Sequence, residues 1–300
     1  MKPNPFLVWA FFVTFPKNSI FMKNITIIKN SGESADFDSD KLRNSLLQSG
    51  ASKVDAEFVT NNISNNIVDG MSTRKIYKLA YKLLKKQSVK VAGKYRLKKA
   101  IFDMGPTGYP FEHLVSELIK LGGFTTKTGI TLEGKCVSHE VDVFAKKKGT
   151  TVFVECKFHN DVRKKSDVKV SLYVNSRFHD LKNKYKLAAD NQHVFEGWLV
   201  TNTRFTTDAI EYGKCAGLKL ISWDYPEQGN LRQLVDSSGF HPITTLQSIT
   251  KKEKSILLEN KVILCRHIAS QVHLLEKMRI SKTRIRKIVS EANQISNIGN

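Results

Sequence analysis

The fold predicted for this chain rests on two stretches, HEVDV at residues 139–143 and VFVECKF at residues 152–158. In the first, Val141 and Val143 alternate with polar residues, and the second contains two Val and two Phe, which is typical of strands. The Lys-Lys-Lys-Gly segment at residues 146–149 separates them and has the composition of a turn. The sequence therefore predicts a hairpin of two neighbouring strands.

This hairpin presents two acidic residues and one lysine. Because side chains alternate between the two faces of a strand, Val141 and Val143 are predicted to share one face and Asp142 to lie on the other. On the second strand the apolar side chains share one face, and Glu155 and Lys157 project from the opposite one. The pattern predicts that an Asp, a Glu and a Lys converge on one side of a sheet.

The hairpin belongs to a longer alternation of helical and extended patterns, which follows a Gly- and Pro-rich break at residues 105–110. Alternating helices and strands of this length indicate an α/β sandwich with a mixed sheet. The predicted elements are helix 111–121, strands 137–145 and 151–158, helix 168–188, strand 195–201, helix 206–216 and strand 218–222.

The acids and the lysine suit phosphodiester hydrolysis. Asp142 and Glu155 offer hard oxygen ligands for Mg²⁺ or Mn²⁺, and the carbonyl of Cys156 is a further candidate ligand. Lys157 could orient a metal-activated water or steady developing charge, and Glu112, one turn into the preceding helix, could serve as an outer carboxylate. The alternative is a half-buried hairpin with exposed acids and Lys157 in a cross-strand ion pair.

Four motifs follow one another in the chain: GYPFE at 108–112, HEVDV at 139–143, VECK at 154–157 and TNTRF at 201–205. With these motifs, residues 109–225 resemble the Mrr-like restriction endonucleases within the PD-(D/E)XK nucleases. The resemblance implies a restriction-endonuclease-like core in which Asp142, Glu155 and Lys157 form the catalytic set and Mg²⁺ is the cofactor.

The region before the break reads as a small, mainly helical bundle with a leading β-element, its predicted helices starting near Asp38 and spanning 53–68, 72–87 and 89–103. Lys29, Gly32, Phe37, Lys41, Asp69, Gly70 and Thr73 fall where an ATP-cone, a regulatory nucleotide-binding domain, places its motif, so residues 25–103 resemble that domain. The resemblance implies that ATP or dATP binds there, and the alternative is a helical adaptor that no longer binds nucleotide. The candidate nucleotide-binding residues are Ile27, Lys29, Lys41 and Thr73.

The net charge points to a polyanionic partner. The chain has 48 Lys and Arg against 28 Asp and Glu, a formal charge of +20, and neutralising phosphates in this way supplies affinity for nucleic acid. We expect DNA rather than a membrane surface to be the partner, because no basic amphipathic helix with an aromatic face stands out. The candidate DNA contacts are Lys164, Lys165, Arg177 and Arg284.

Four widely spaced cysteines form no C-x-x-C pair, which favours a reduced, cytoplasmic protein over a disulfide or zinc scaffold. The predicted organisation is a non-native or disordered start at 1–21, an ATP-cone-like domain at 22–105, a nuclease domain at 106–226 and a basic helical region at 227–300. The predicted function is a metal-dependent DNA endonuclease, regulated by ATP or dATP and acting in restriction or defence, with a homodimer as a further expectation. The rival prediction is a nucleotide-responsive DNA-binding regulator whose nuclease fold is catalytically silent.

Overall fold

The computed structural model describes residues 25–29, 32–187 and 192–296, and the predicted start at 1–21 lies outside them. The first region is mainly helical with a small three-stranded sheet, in which β1 pairs with β2 in antiparallel and with β3 in parallel orientation. Its elements are β1 (Thr26–Ile28), β2 (Ser34–Asp36), α1 (Ser39–Gln48), α2 (Lys53–Asn66), β3 (Met71–Ser72), α3 (Thr73–Gln87), α4 (Val89–Tyr95) and α5 (Leu97–Phe102).

Helix ends in this region follow the capping chemistry of the sequence. The Asp38 carboxylate accepts a hydrogen bond from the backbone N–H of Lys41 at the start of α1, and the Ser72 hydroxyl accepts one at the start of α3. The predicted helix 89–103 is wrong in one respect, because the chain breaks at Arg96 into α4 and α5.

The second region is an α/β sandwich, which confirms the predicted mixed α/β fold. Its five-stranded sheet has the order β10-β8-β6-β5-β4, with antiparallel pairing among β4, β5 and β6 and parallel pairing from β6 to β8 and β10. The elements are α6 (Tyr109–Lys120), β4 (Thr125–Glu133), β5 (Ser138–Lys147), β6 (Thr150–Lys157), β7 (Lys165–Ser166), α7 (Val168–Lys186), β8 (Val194–Thr201), β9 (Arg204–Phe205), α8 (Thr207–Cys215) and β10 (Lys219–Ile221).

Strand β4 was given no bounds in the prediction, although the alternating Ile130 and Leu132 indicate a strand edge. It is an edge strand in which half-exposed and exposed residues alternate and none is fully buried. Its sequence, TTKTGITLE, lacks the run of large apolar residues that identifies the inner strands, since an edge strand buries less of its surface. The structure thus adds one strand to the sheet beside β5.

The sheet is covered on both faces. One face buries Val143, Val152 and Val154 in a cluster that includes α6 residues such as Leu114. The other face buries apolar side chains against α7 and α8, and its cluster includes Val141, Phe144, Phe153, Phe178, Leu199 and Ala209. These two layers fix the strands that carry the predicted acids.

The C-terminal region is helical, as predicted, and it shares the first of these cores. Leu97 and Ile101 of α5 are buried in the same cluster as Ile243 and Ile288, and the predicted boundaries at 105 and 226 stay predictions. No helix within residues 25–29, 32–187 and 192–296 combines the length and apolar character needed to cross a membrane. The elements are α9 (Leu231–Ser238), α10 (Lys251–Glu259), α11 (Val272–Lys277) and α12 (Lys282–Ser296), with 3-10 segments at Ile243–Thr245 and Cys265–Gln271.

Candidate active site

Three carboxylates meet where the pairing of β5 with β6 ends, and we call Glu112, Asp142 and Glu155 the acid cluster. Asp142 lies on β5, Glu155 on β6 and Glu112 in the first turn of α6. Each of the two glutamates has its pKa raised in part by the charge of Asp142, so the three groups are close enough to repel one another. The structure therefore brings together the acids that the sequence singled out.

Strand pairing ends where the acid cluster begins. The register of β5 on β6 runs from Val143↔Val154 to Lys147↔Thr150, and beyond it the Asp142 carboxylate accepts the backbone N–H of Cys156 at 2.6 Å. On the other side of β5, Gly129 of β4 stands opposite Asp142 with φ of +58°, a conformation that favours glycine. The carboxylate thus replaces a backbone acceptor at this point of the sheet.

The predicted alternation of β5 is wrong around Asp142. Val141 is buried in the cluster with Phe153 and Phe178, whereas Val143 is buried in the cluster on the α6 face. Two residues apart on a regular strand would share a face. The regular pattern fails here because the ladder to β6 stops at Val143 and the Asp142 side chain takes over the next hydrogen bond.

Glu155 forms an ion pair that the sequence did not predict. The Arg177 guanidinium, from α7, donates to the Glu155 carboxylate at 2.7 Å, and also to the carbonyl of Glu140. It lies over the Tyr173 ring, 5.2 Å from its centroid. With 16% of the Arg177 side chain and 23% of the Glu155 side chain exposed, this pair is mostly shielded from solvent.

Burial and mutual repulsion shift the titration of the acid cluster upwards. Burial, followed by the charge of Asp142, raises the pKa of Glu155 to about 7 against the lowering effect of Arg177. Burial, then Asp142 and two glutamates, raises the pKa of Glu112 to about 7. Burial also raises the pKa of Asp142, opposed by the N–H of Cys156. A site that crowds carboxylates in this way favours a bound cation.

Lys157 ends β6 as an exposed side chain next to the acids. Its charge acts to lower the pKa of both Asp142 and Glu155. In the described parts of the chain it forms no ion pair within 4.0 Å, so the cross-strand pair of the alternative interpretation is absent there. The ammonium group is therefore available beside the acid cluster.

The chain after β8 holds the end of β6 in place. The Thr201 hydroxyl donates to the carbonyl of Lys157 at 2.8 Å. The buried Asn202 side chain accepts the N–H of His159 at 2.8 Å and donates to its carbonyl at 2.9 Å. Sequence analysis identified TNTRF only as a matching motif. A polar Thr-Asn pair directly after an apolar strand is the signal that could have indicated this positioning role.

The acid cluster offers an oxygen donor set for a divalent metal ion. Two carboxylates with a backbone carbonyl lie within what Mg²⁺ accepts when water and phosphate complete its shell. Burial raises the pKa of the Cys156 thiol, so its sulfur stays protonated and only the carbonyl of that residue is a candidate ligand. Across the described residues, no three His, Cys, Asp or Glu side chains form a metal-binding group by themselves. The residues fit a metal that substrate oxygens help to hold.

The four candidate DNA contacts lie in different surroundings. Lys164 and Lys165 are exposed just after β6, and the pKa of His159, lowered mainly by burial, is lowered further by Lys157 and Lys164. Arg177 is held by Glu155. The Arg284 guanidinium binds Glu253 at 2.6 Å and the carbonyl of Ser248, joining α12 to α10. A DNA contact stays a prediction for all four, and the geometry favours the two lysines.

The candidate nucleotide residues also stay predictions. Ile27 pairs with Met71 across β1 and β3, which brings β1 beside the start of α3 at Thr73. Lys29 follows β1 and forms an exposed ion pair with Glu33. The Lys41 ammonium lies 3.2 Å from the Asp38 carboxylate in the first turn of α1.

The five-stranded sheet and the acid cluster, together with a family match, indicate the restriction-endonuclease class. The family model described as a restriction endonuclease matches residues 105–225, and the one described as AF1548-like, C-terminal, matches residues 241–296. The chain therefore carries a restriction-endonuclease-like domain, which suggests a nuclease. Both matches begin at or after residue 105, so the ATP-cone stays a prediction.

Similarity to relatives places the chain in a family. An uncharacterized protein of Archaeoglobus fulgidus is 34% identical over 185 residues, which are 60% of this chain and 99% of that protein. The crystal structure of the protein of unknown function AF1548 aligns with a TM-score of 0.53 at 32% identity, over 64% of this chain and 99% of that one. The chain belongs to the AF1548-like family.

A further solved structure gives only a weak likeness. Can2 from Sulfobacillus thermosulfidooxidans, in complex with cyclic tetra-adenylate, aligns with a TM-score of 0.32 at 15% identity. That alignment spans 68% of this chain and 63% of the other, and it is too weak to carry a conclusion about this chain.

Proposed function

We propose that this protein is a metal-dependent DNA endonuclease whose active site is the acid cluster with Lys157. The observation that carries the proposal is the convergence of Asp142 and Glu155 where the pairing of β5 with β6 ends, with raised pKa values and, beside them, a lysine that forms no ion pair within the described residues. The match of residues 105–225 to a restriction endonuclease family and the charge of +20 support DNA as the substrate.

Each residue has a distinct role in this proposal. Asp142, Glu155 and the carbonyl of Cys156 would hold Mg²⁺ or Mn²⁺, which when bound polarises the phosphate and acidifies a water. Lys157 places a positive charge where negative charge develops on the phosphate during attack. Glu112 adds a carboxylate at the edge of the site, and with a pKa of about 7 it can take up or release a proton near neutral pH.

Arg177 acts as a positioning residue in the same proposal. Its guanidinium donates to the Glu155 carboxylate and would fix its orientation. Because guanidinium groups also bind phosphate, Arg177 would also be able to contact the DNA backbone.

Plasmid cleavage with Mg²⁺ or Mn²⁺ tests the proposal. Glu155→Gln keeps the size of the side chain but removes its charge, and we expect cleavage to fall by at least about 10²-fold because a charge-stabilising group is lost. The matched control is Glu133→Gln, on exposed β4 and outside the acid cluster, which should cut like the wild type. If the wild type cuts no DNA with either metal, methylated or unmethylated, the proposal fails.

The rival function is a DNA-binding regulator with a silent nuclease fold. The ion pair between Arg177 and Glu155 favours it, since a guanidinium can replace the metal as the partner of a carboxylate. Under this hypothesis the protein binds DNA in a salt-dependent way and Glu155→Gln changes nothing that can be measured as cleavage. The plasmid experiment separates the two functions directly.

Regulation and setting complete the proposal. We place ATP or dATP control in the region of Ile27, Lys29, Lys41 and Thr73, and the enzyme in the cytoplasm as a homodimer that acts against foreign or modified DNA. Repeating the plasmid assay with and without each nucleotide checks the control by ATP or dATP. Measuring the mass in solution by light scattering checks the homodimer.

A further inference from the structure

An open cleft of about 970 Å³ lies between the helical N-terminal region and the C-terminal helices, separate from the acid cluster and its residues. One wall is formed by the end of α3 and the start of α4, and the other by α12, with Val272 of α11 between them. The size is at the upper end of cavities that hold small-molecule ligands, roughly 300–1,000 Å³.

The rim of this cleft is positive on both walls. We define the basic cleft by its four cations, Lys85, Lys86 and Lys90 on one wall and Arg286 on the other. No Asp or Glu lines it among the described residues, and within that part of the chain none of the four cations forms an ion pair. Arg284, two residues before Arg286 on α12, is by contrast bound to Glu253.

Apolar and polar side chains also line the basic cleft. Val89, Val272 and Val289 are half-buried in the lining and form what we call its valine floor, and Ile285 is buried. Asn293 offers an amide, which can both donate and accept hydrogen bonds. Long-range attraction of an anion requires only the cations. The apolar floor and the amide would add short-range contacts to a bound ligand.

The two walls are held in a fixed relation by close helix packing. Gly93 of α4 faces α12, and a Cβ atom built there would lie 3.1 Å from Cγ1 of Ile295 and 3.4 Å from Cγ2 of Thr245. Contacts this short mean that Ile295 would have to shift slightly to accept even an alanine at this position. The cleft is therefore bounded by helices that already touch at one end.

We propose that the basic cleft binds a nucleotide. Its base would lie on the valine floor and its phosphates among the four cations. The cations supply charge-assisted hydrogen bonds to phosphate oxygens, the floor supplies apolar contact to a base, and the amide reads polar edges. This inference does not rest on the nuclease proposal, and its site is distinct from the predicted nucleotide site around Lys41.

Binding of ATP, GTP, CTP and inorganic tripolyphosphate to the full chain, measured by calorimetry and by thermal shift, tests the inference. We expect at least one nucleoside triphosphate to bind and to raise Tm, because a ligand that binds only the folded state stabilises it. Tripolyphosphate should bind at least about tenfold more weakly, since it cannot use the apolar floor.

Variants on the two walls locate the site. Lys86→Glu and Arg286→Glu should each weaken nucleotide binding by at least about tenfold, the worth of one charge-assisted hydrogen bond. The matched controls, Lys82→Glu on α3 and Lys287→Glu on α12, change exposed lysines outside the cleft and should shift the affinity by about threefold or less. A circular dichroism spectrum confirms that each variant is folded.

Several outcomes overturn the proposal. It fails if no nucleotide binds, if tripolyphosphate binds as tightly as the nucleotides, or if the control variants lose as much affinity as the cleft variants. It also fails if only Lys41→Glu or Thr73→Ala abolishes binding, which would place the nucleotide at the other site. A loss of affinity for a 20-base-pair duplex in the cleft variants, with nucleotide binding unchanged, would identify the cleft as a DNA surface instead.

Discussion

The acid cluster and the basic cleft both gather charge of one sign, but in opposite surroundings. The acids are wholly or partly shielded from water where the pairing of β5 with β6 ends, and burial with mutual repulsion raises their pKa values. The cations of the cleft stand on helix surfaces beside an open cavity. The cluster is therefore under electrostatic strain in the folded chain, whereas the cleft is exposed to water and tolerates its charge.

This difference shows how each site treats its counter-charge. The acid cluster already has a positive counter-charge inside the protein, because Arg177 pairs with Glu155. The backbone N–H of Cys156 also donates a hydrogen bond to Asp142. The basic cleft has no ion-pair partner in the described residues. We infer that the cluster is arranged to exchange an internal cation for an external one, and that the cleft leaves its positive charge for a ligand.

The largest effect that sharpens the comparison should come from Lys157, the exposed cation of the acid cluster. Lys157→Ala should lower cleavage by about 10²–10³-fold, because a charge that stabilises the transition state is lost. Stability should change by no more than about 0.5 kcal/mol, since the side chain is exposed. Gel assays of plasmid cleavage and urea unfolding measure the two quantities.

Lys169→Ala provides the control, because Lys169 is an exposed lysine on α7 outside the cluster. It should leave both cleavage and stability unchanged. If the Lys157→Ala protein cuts at the wild-type rate, cleavage does not depend on this lysine. Lys157 would then differ in no functional respect from an ordinary exposed cation.

Sequence patterns predicted much of this arrangement because burial and periodicity are local properties of a strand. The apolar runs around Asp142 and Glu155 identified β5 and β6, and the alternation correctly placed Val152 and Val154 on one face. The break at Asp142 could not be predicted. It depends on a hydrogen bond from a side chain to a neighbouring strand, which no local pattern records.

Contacts between distant segments account for the other omissions. Arg177 was assigned to DNA because its charge is visible in the sequence, but its partner Glu155 lies 22 residues earlier and is reached only when α7 packs on the sheet. The basic cleft joins residues near 85–90 to residues near 272–294, and neither segment indicates a cavity by itself. For β4 the sequence indicated only a strand edge at Ile130 and Leu132 and no bounds, because an edge strand buries few apolar residues.

A smaller effect compares one arginine from each site. Arg177→Ala should destabilise the metal-free protein by about 1–3 kcal/mol, less than the roughly 3–5 kcal/mol of a fully buried pair because both side chains keep some exposure. Arg286→Ala, in the exposed cleft, should change stability by less than about 0.5 kcal/mol. Urea unfolding in EDTA measures both variants.

Mn²⁺ extends this test to the exchange of counter-ions. Because Arg177→Ala leaves Glu155 without its cation, added Mn²⁺ should stabilise this variant more than the wild type. Arg286→Ala should respond to Mn²⁺ like the wild type. Equal stability of the two variants in EDTA would contradict the view that the acid cluster depends on an internal counter-charge.

The smallest effect concerns the pH dependence of stability in metal-free protein. An unfolded glutamate titrates near 4.5, whereas the pKa of Glu112 and Glu155 is raised to about 7 in the folded chain, so folding binds protons between these values. The stabilising contribution of their protonated forms is therefore complete below about pH 4.5, declines as the pH rises to about 7, and is absent above it.

Glu112→Gln should reduce the decline in Tm between pH 5 and pH 7.5, by an amount that is modest because this side chain is only half-buried. Thermal melts in EDTA at intervals of half a pH unit measure it, with Glu133→Gln as the exposed control. An identical pH profile for Glu112→Gln and the wild type would mean that the pKa of Glu112 is not raised in the folded chain.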